Sequence, residues 1–258
     1  MSETPVIGSA ALGGPPAQAA GGARTYVLVH GAFHGGWCWT RVAQRLRAAG
    51  HTVYTPTQTG LGERRHLLSQ QITMDVFVED LVNLIDAEEL KNIYLVGHSF
   101  GGGAISGVAD RMPGRLERLV FLDAGIPTGA KSSFERLPPE VRAARIKQAE
   151  ESSGGLSIPV PPADSFGLTD PADVAWVARR LTPHPFNTYT TVPTMRHPVG
   201  NGVPATYIRC TEPLYRNVNS SAEFARSQPG WQYLEIQSGH DAMISAPAEL
   251  TSMLTGLA

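Results

Sequence analysis

Cysteine and charge are both scarce in this chain. Its 258 residues hold two cysteines, Cys38 and Cys210, far apart and outside any CxxC spacing. That excludes a disulfide-framed scaffold and predicts buried thiols in a reducing compartment. Charged residues make up 17% of the chain and sum to a formal net charge of −2, so there is no basic surplus. A nucleic-acid or anionic-membrane partner is disfavoured on that balance. No apolar run approaches the roughly 18 residues of a membrane span. Residues 1–23, MSETPVIGSAALGGPPAQAAGGA, lack a basic segment and a sustained apolar one, and so lack the form of a secretory signal. The expectation is a flexible tail ahead of one cytoplasmic domain over 24–258, long enough for a single large core. His30 and His34 are four apart, but in a strand-to-loop segment, so no metal pair is expected.

What is present is alternation. TYVLVH is a run of apolar β-formers that stops at Gly31. Trp39, Val42, Ala43, Leu46 and Ala49 then recur at helical spacing, with Gly50 as a stop. HTVYTPT reads as a second strand, and Met74, Phe77, Val78, Leu81 and Ile85 mark a second amphipathic helix. NIYLV, LERLVFLDA, ATYIRC and WQYLEIQ read as further strands. Ser220 and Glu223 have capping-box spacing at the start of a helix after ATYIRC. Strands alternating with helices imply a mostly parallel sheet flanked by helices on both faces. Residues 125–203 break the pattern and are rich in Pro, Ser, Gly and Thr, with helical patches near 140–150 and 172–181. A block that long is better read as an inserted helical cap over the carboxyl ends of the strands, where such folds bind ligands. Phe134, Leu137, Trp176, Phe186 and Tyr189 would make it a neutral, aromatic-lined roof.

The stretch LVGHSFGGG, Leu95 to Gly103, holds the one GxSxG of the chain, Gly97-His98-Ser99-Phe100-Gly101. A strand enters it and a helix leaves it. Turning one into the other within a residue or two strains the serine and leaves room only for small neighbours, which accounts for the flanking glycines. The product is an exposed hydroxyl at the amino end of a helix. Such a serine needs a base. Of eight histidines, His240 stands just beyond the WQYLEIQ strand and follows Ser99 in the chain. His30 is expected to order the loop it opens, His98 to be the variable position of the turn, and His51, His66, His184 and His197 to be loop or surface residues.

These features identify a resemblance. VLVHGAFHGGWCW, VGHSFGG and SGHDAMISAP are similar to the α/β-hydrolase superfamily, in the branch holding plant methyl esterases and hydroxynitrile lyases. TPTQTGLGERRHL and LVFLDAGIP resemble bacterial esterases that hydrolyse xenobiotics of the carbendazim and pyrethroid kind. The resemblance covers residues 24 to 258 and implies an α/β-hydrolase fold: a mostly parallel sheet flanked by helices, with an inserted helical cap. It also implies an oxyanion hole from the N–H groups of Ala32 and Phe100. Phe33, His34, Trp176 and Phe186 are then expected at the substrate.

The resemblance implies a triad acid shortly after the ATYIRC strand, where the sequence reads Cys210-Thr211-Glu212-Pro213. Glu212 is the only carboxylate between Thr211 and Ala222, and one helix and one strand fit between it and His240. Asp123, at the end of the preceding strand, is the alternative, and the reading favours Glu212. Asp241 abuts His240 and is expected to brace its loop.

The function expected is a carboxylesterase that needs neither metal nor cofactor and takes a small hydrophobic ester, aryl or xenobiotic, carboxylic or carbamic. A small-molecule receptor on a hydrolase fold is the alternative from another class. A hydroxynitrile lyase is disfavoured, because such lyases resemble this chain yet carry a lysine and a threonine where it has Asp241 and Gly31.

Overall fold

Tyr26 and Leu28 face one side of the first strand, Val27 and Val29 the other, and all four are fully buried. A strand covered on both faces belongs inside a parallel sheet. The computed structural model describes residues 22–257; the expected tail, residues 1–23, lies outside them except for its last two residues. In chain order come β1 (Thr25–Val29), α1 (Thr40–Ala48), β2 (Thr52–Tyr54), α2 (Met74–Ala87), β3 (Ile93–His98), α3 (Gly101–Arg111) and β4 (Leu116–Leu122). The chain then leaves the sheet through α4 (Pro139–Ser153), β5 (Ser157–Ile158), α5 (Pro171–Ala178), β6 (His184–Pro185) and α6 (Asn187–Thr190). It returns as β7 (Ala205–Cys210), α7 (Asn219–Ser227), β8 (Gln232–Ile236), α8 (Ala242–Ser245) and α9 (Pro247–Gly256).

The six long strands pair in the order β2-β1-β3-β4-β7-β8, all parallel. One face is covered by α2, α3 and α7, the other by α1, α8 and α9. Trp39, Tyr26, Tyr207 and Phe121 are the largest fully buried side chains, each contributing about 2–3 kcal/mol through removal from water. The winding direction reverses between β1 and β3, and a crevice opens there at the carboxyl ends of the strands. The loops after β1 and β3 carry Ala32 and Ser99 into it.

The segment between β4 and β7 packs on this end of the sheet. Phe134, Ile158, Phe166 and Tyr189 form a third apolar cluster with Ala32 and Phe33. One local expectation fails: α7 starts at Asn219 and no side chain caps it, so Ser220 and Glu223 form no capping box.

Candidate active site

Val29 of β1 lies beside Gly97 of β3, and two residues further on Ser99 adopts φ +51°. That left-handed conformation costs a non-glycine residue about 1–2 kcal/mol. It is held because the Ser99 N–H donates to the Leu122 carbonyl at 3.1 Å and the Ser99 carbonyl accepts from the Gly125 N–H at 2.9 Å. A Cβ on Gly101 would lie 2.7 Å from the His30 carbonyl oxygen, and one on Gly97 would lie 2.8 Å from Ile105 Cδ1. The turn closes only with glycine on both sides of the serine.

Ser99 Oγ is 2.8 Å from His240 Nε2, and His240 Nδ1 is 2.6 Å from Asp123 Oδ2. A carboxylate accepts, so Nδ1 carries the proton and Nε2 is left to receive one from Ser99. The acid beside His240 is thus Asp123, and the preference for Glu212 is corrected. The Glu212 carboxylate is exposed and accepts from Gln237 Nε2 at 2.9 Å. Sheet register explains the difference. His98 pairs with Leu122, and Leu122 with Ile208, so Asp123 emerges one step past β4, next to the elbow.

Asp123 is fully buried, and such a charge is tolerated only with partners. Its Oδ1 accepts from Arg209 Nη1 at 2.7 Å and from the Cys210 N–H at 3.3 Å. Arg209 is itself 5% exposed and also donates to the Tyr215 carbonyl at 3.1 Å and Asn219 Oδ1 at 2.5 Å. Sequence reasoning passed over Arg209; its signal is a lone cation inside the apolar strand ATYIRC. It also passed over Tyr215, whose ring stacks on His240 at 3.8 Å between centroids and for which the sequence carries no mark.

Three histidines shape the loop after β1. His30 Nδ1 donates to the Gly31 carbonyl at 2.8 Å, and its Nε2 accepts from the Gln58 N–H at 3.0 Å. Burial pushes its pKa down to about 3, so it stays neutral. His184, expected to be a loop or surface residue, is fully buried in β6. Its Nδ1 accepts from the Phe33 N–H at 3.1 Å and its Nε2 donates to Thr188 Oγ1 at 2.9 Å. His34 donates from Nδ1 to the Ala32 carbonyl at 2.7 Å. The Gly31–Ala32 and Ala32–Phe33 peptides thus have three of four polar groups engaged. The fourth, the Ala32 N–H, has no acceptor among the described residues, and neither has the Phe100 N–H. His51 is also buried and accepts from the Arg24 N–H at 3.1 Å, whereas His66 and His197 are exposed as expected. Cys38 and Cys210 are free, buried thiols.

Ser99, Ala32 and Phe100 open onto a cavity of about 1120 Å³. Of the four residues expected at the substrate, only Phe33 lines it. His34 is turned into the protein, with Nε2 3.0 Å from Asp241 Oδ2. Trp176 packs edge-on against Trp37, with Arg41 and Arg180 over its ring. Phe186 packs edge-on against Phe134, with 5.3 Å between ring centroids. Apolar walls come instead from Ile158, Phe166, Tyr189 and Tyr215, and the lining is cationic rather than neutral, with Lys131, Arg136, Arg145 and Arg216 against Glu151. Among the described residues no His, Cys, Asp and Glu group could hold a metal ion, and no helix is long and apolar enough to cross a membrane.

A doubly wound parallel sheet that presents a strained serine at its switch point, backed by a histidine from its last loop, defines the α/β-hydrolase class. The chain belongs to the alpha/beta hydrolase family, which it matches over residues 26–252. It is 40% identical over 242 residues to the carbendazim hydrolyzing esterase of Nocardioides sp. (strain SG-4G), covering 90% of this chain and 98% of that one. An extracellular alpha/beta-hydrolase from a Paenibacillus species superposes with a TM-score of 0.75 at 23% identity, covering 90% and 97% of the two chains. Tomato Methylketone Synthase I, complexed with 2-tridecanone, superposes at 0.74 and 22%, covering 90% and 96%. At such identity the structures share a fold, and the chemistry rests on the site.

Proposed function

We propose that the protein is a serine carboxylesterase acting on hydrophobic esters, aryl or carbamic ones included, through an acyl-enzyme. The observation that carries this reading is the continuous chain Ser99 Oγ–His240 Nε2 at 2.8 Å and His240 Nδ1–Asp123 Oδ2 at 2.6 Å, beside two uncommitted N–H groups. Ser99 Oγ bonds to the ester carbonyl carbon while its proton passes to His240 Nε2. The carbonyl pair moves onto oxygen, where the Ala32 and Phe100 N–H groups stabilise it. Collapse breaks the C–O bond, and His240 returns the proton to the departing alcohol or phenol. Water then gives a proton to His240 and attacks the acyl carbon, and Ser99 recovers its proton as the acid leaves. Asp123 stays ionised throughout, holding the tautomer and offsetting the imidazolium charge.

Residues 125–203 serve as the cap. Ile158, Phe166 and Tyr189 supply the apolar wall an aryl or branched acyl group requires, and the name of the 40% identical relative points the same way. The test is turnover of p-nitrophenyl butyrate and of an aryl carbamate by the wild type and by Ser99→Ala. Multiple turnovers are expected, with a loss of roughly three or more decades in the variant. One slow turnover with thermal stabilisation by the ester favours the receptor reading, and a variant keeping a tenth of wild-type activity contradicts the assignment of Ser99.

A further inference from the structure

Behind Ser99, His240 and Asp123 lies a second polar set that the reaction above does not use. His34, His98 and Asp241 are each 1% exposed or less, and they come from the loop after β1, the last residue of β3 and the loop after β8. His34 Nδ1 lies 2.7 Å from the Ala32 carbonyl and its Nε2 3.0 Å from Asp241 Oδ2. Both partners are acceptors, so both nitrogens carry protons and the ring is an imidazolium. Burial alone would lower the pKa of His34, but the Asp241 charge and hydrogen bond and the Ala32 carbonyl outweigh it and hold it above the ordinary 6.5. Burial would likewise raise Asp241, and the His34 cation outweighs it and holds the carboxyl below 3.8. His98 donates from Nε2 to the His240 carbonyl at 2.9 Å, and the same nitrogen is 3.7 Å from Asp241 Oδ1. Burial, with the nearby His240, pushes the His98 pKa well below 6.5, and its Nδ1 has no partner among the described residues. The other titratable groups facing this set are Cys38 and Cys210 and, at longer range, His30, His184 and Tyr215.

We propose that His34 and Asp241 are positioning residues: a charged, buried strut that joins the loop carrying Ala32 to the loop carrying His240 and holds oxyanion donor and base in mutual register. The reason lies in the peptide that follows the donor. The Ala32–Phe33 plane is gripped at its carbonyl by His34 and at its N–H by His184, so it cannot rotate, and the preceding N–H stays aimed at the cavity. Asp241 supplies the other end of the grip from the residue next to the base. Donors fixed before the charge develops stabilise a transition state more than those that must reorient, so the strut acts on kcat rather than on ground-state binding.

The proposal rests on the esterase reading, and the experiment separates the two. Three variants are compared with the wild type: Asp241→Ala, Asp241→Asn, and the double variant His34→Phe with Asp241→Leu, which replaces a buried ion pair by apolar groups and so preserves the fold. The readouts are kcat, KM and inhibition by an aryl boronic acid, which takes on the tetrahedral geometry at the serine. Asp241→Ala and the double variant are expected to lose about thirty- to a hundredfold in kcat with KM within about threefold, and boronate affinity should weaken in parallel. In Asp241→Asn the amide can donate to His34 Nε2 while Nδ1 still donates to Ala32, so most of kcat should return. A folded double variant with kcat within threefold of wild type overturns the strut alone. A wild type that turns over no ester overturns the esterase reading and, with it, the strut's purpose.

Discussion

A serine hydroxyl becomes a nucleophile when a base can take its proton, and the base keeps the useful tautomer only while its other nitrogen is held. Asp123 does the holding here, itself held by Arg209. Asp123→Asn presents an amide where an acceptor is needed and favours the imidazole tautomer that cannot receive the Ser99 proton. Its kcat should fall about 10⁴-fold with KM little changed, while Glu212→Gln, whose partner is Gln237, should stay within about threefold. Steady-state kinetics on one aryl ester checks both, and the reverse order of losses contradicts the assignment. Ser99 and His240 were legible because the elbow and the chain order are local or ordinal features. The acid was not, because it depends on which strand lies beside β3 and at what register, and spacing along the chain is blind to both. His184 escaped for the same reason: its partner, the Phe33 N–H, is remote in sequence.

Every strand of the main sheet and most of its neighbouring helices could be read from period and composition, since each buries a patterned face; the short α8 was not read. The inserted segment was legible only as an interruption. Which of its aromatic residues face the cavity depends on packing between short elements that carry no period of their own. Trp176 and Phe186, both partly exposed, turned out to pack on Trp37 and Phe134 away from the cavity, and Ile158 to line it. Trp176→Ala should therefore lower stability by about 1–2 kcal/mol and leave the preference between short and bulky esters unchanged. Ile158→Ala should shift the kcat/KM ratio toward bulky esters by about tenfold. A selectivity change at Trp176 without loss of thermal stability would contradict this placement. The segment also braces the base. A Cβ on Gly239 would lie 2.1 Å from the Gly167 carbonyl oxygen, and the Asp241 N–H donates to the Phe166 carbonyl at 3.1 Å. Gly239→Ala should push the His240 loop off this contact and cost more than about tenfold in kcat, read against the unchanged kcat of an exposed control substitution.

For the whole molecule, parallel pairing of all six strands gathers the loops after β1, β3, β4 and β8 at one end, and burial there makes charge pairing decisive. The His34–Asp241 pair ties stability to pH in a defined direction. His34 has its pKa raised, so its contribution is complete below 6.5 and fades as pH rises through the higher folded value; Asp241 has its pKa lowered, so its contribution is complete above 3.8 and fades as pH falls through the lower one. The stability gap between the wild type and Asp241→Ala should be widest between those limits and narrow on both sides, as thermal melts across pH can check. The central claim, that Ser99 is the nucleophile of this site, is tested most directly with an aryl phosphonate ester, which reacts as an ester does and stops at the first covalent step. Peptide mapping should find one phosphonyl group per chain, on Ser99, with activity lost in proportion and labelling slowed by orders of magnitude in His240→Ala. Full activity after exhaustive treatment, or inactivation with the label on another residue, would contradict it.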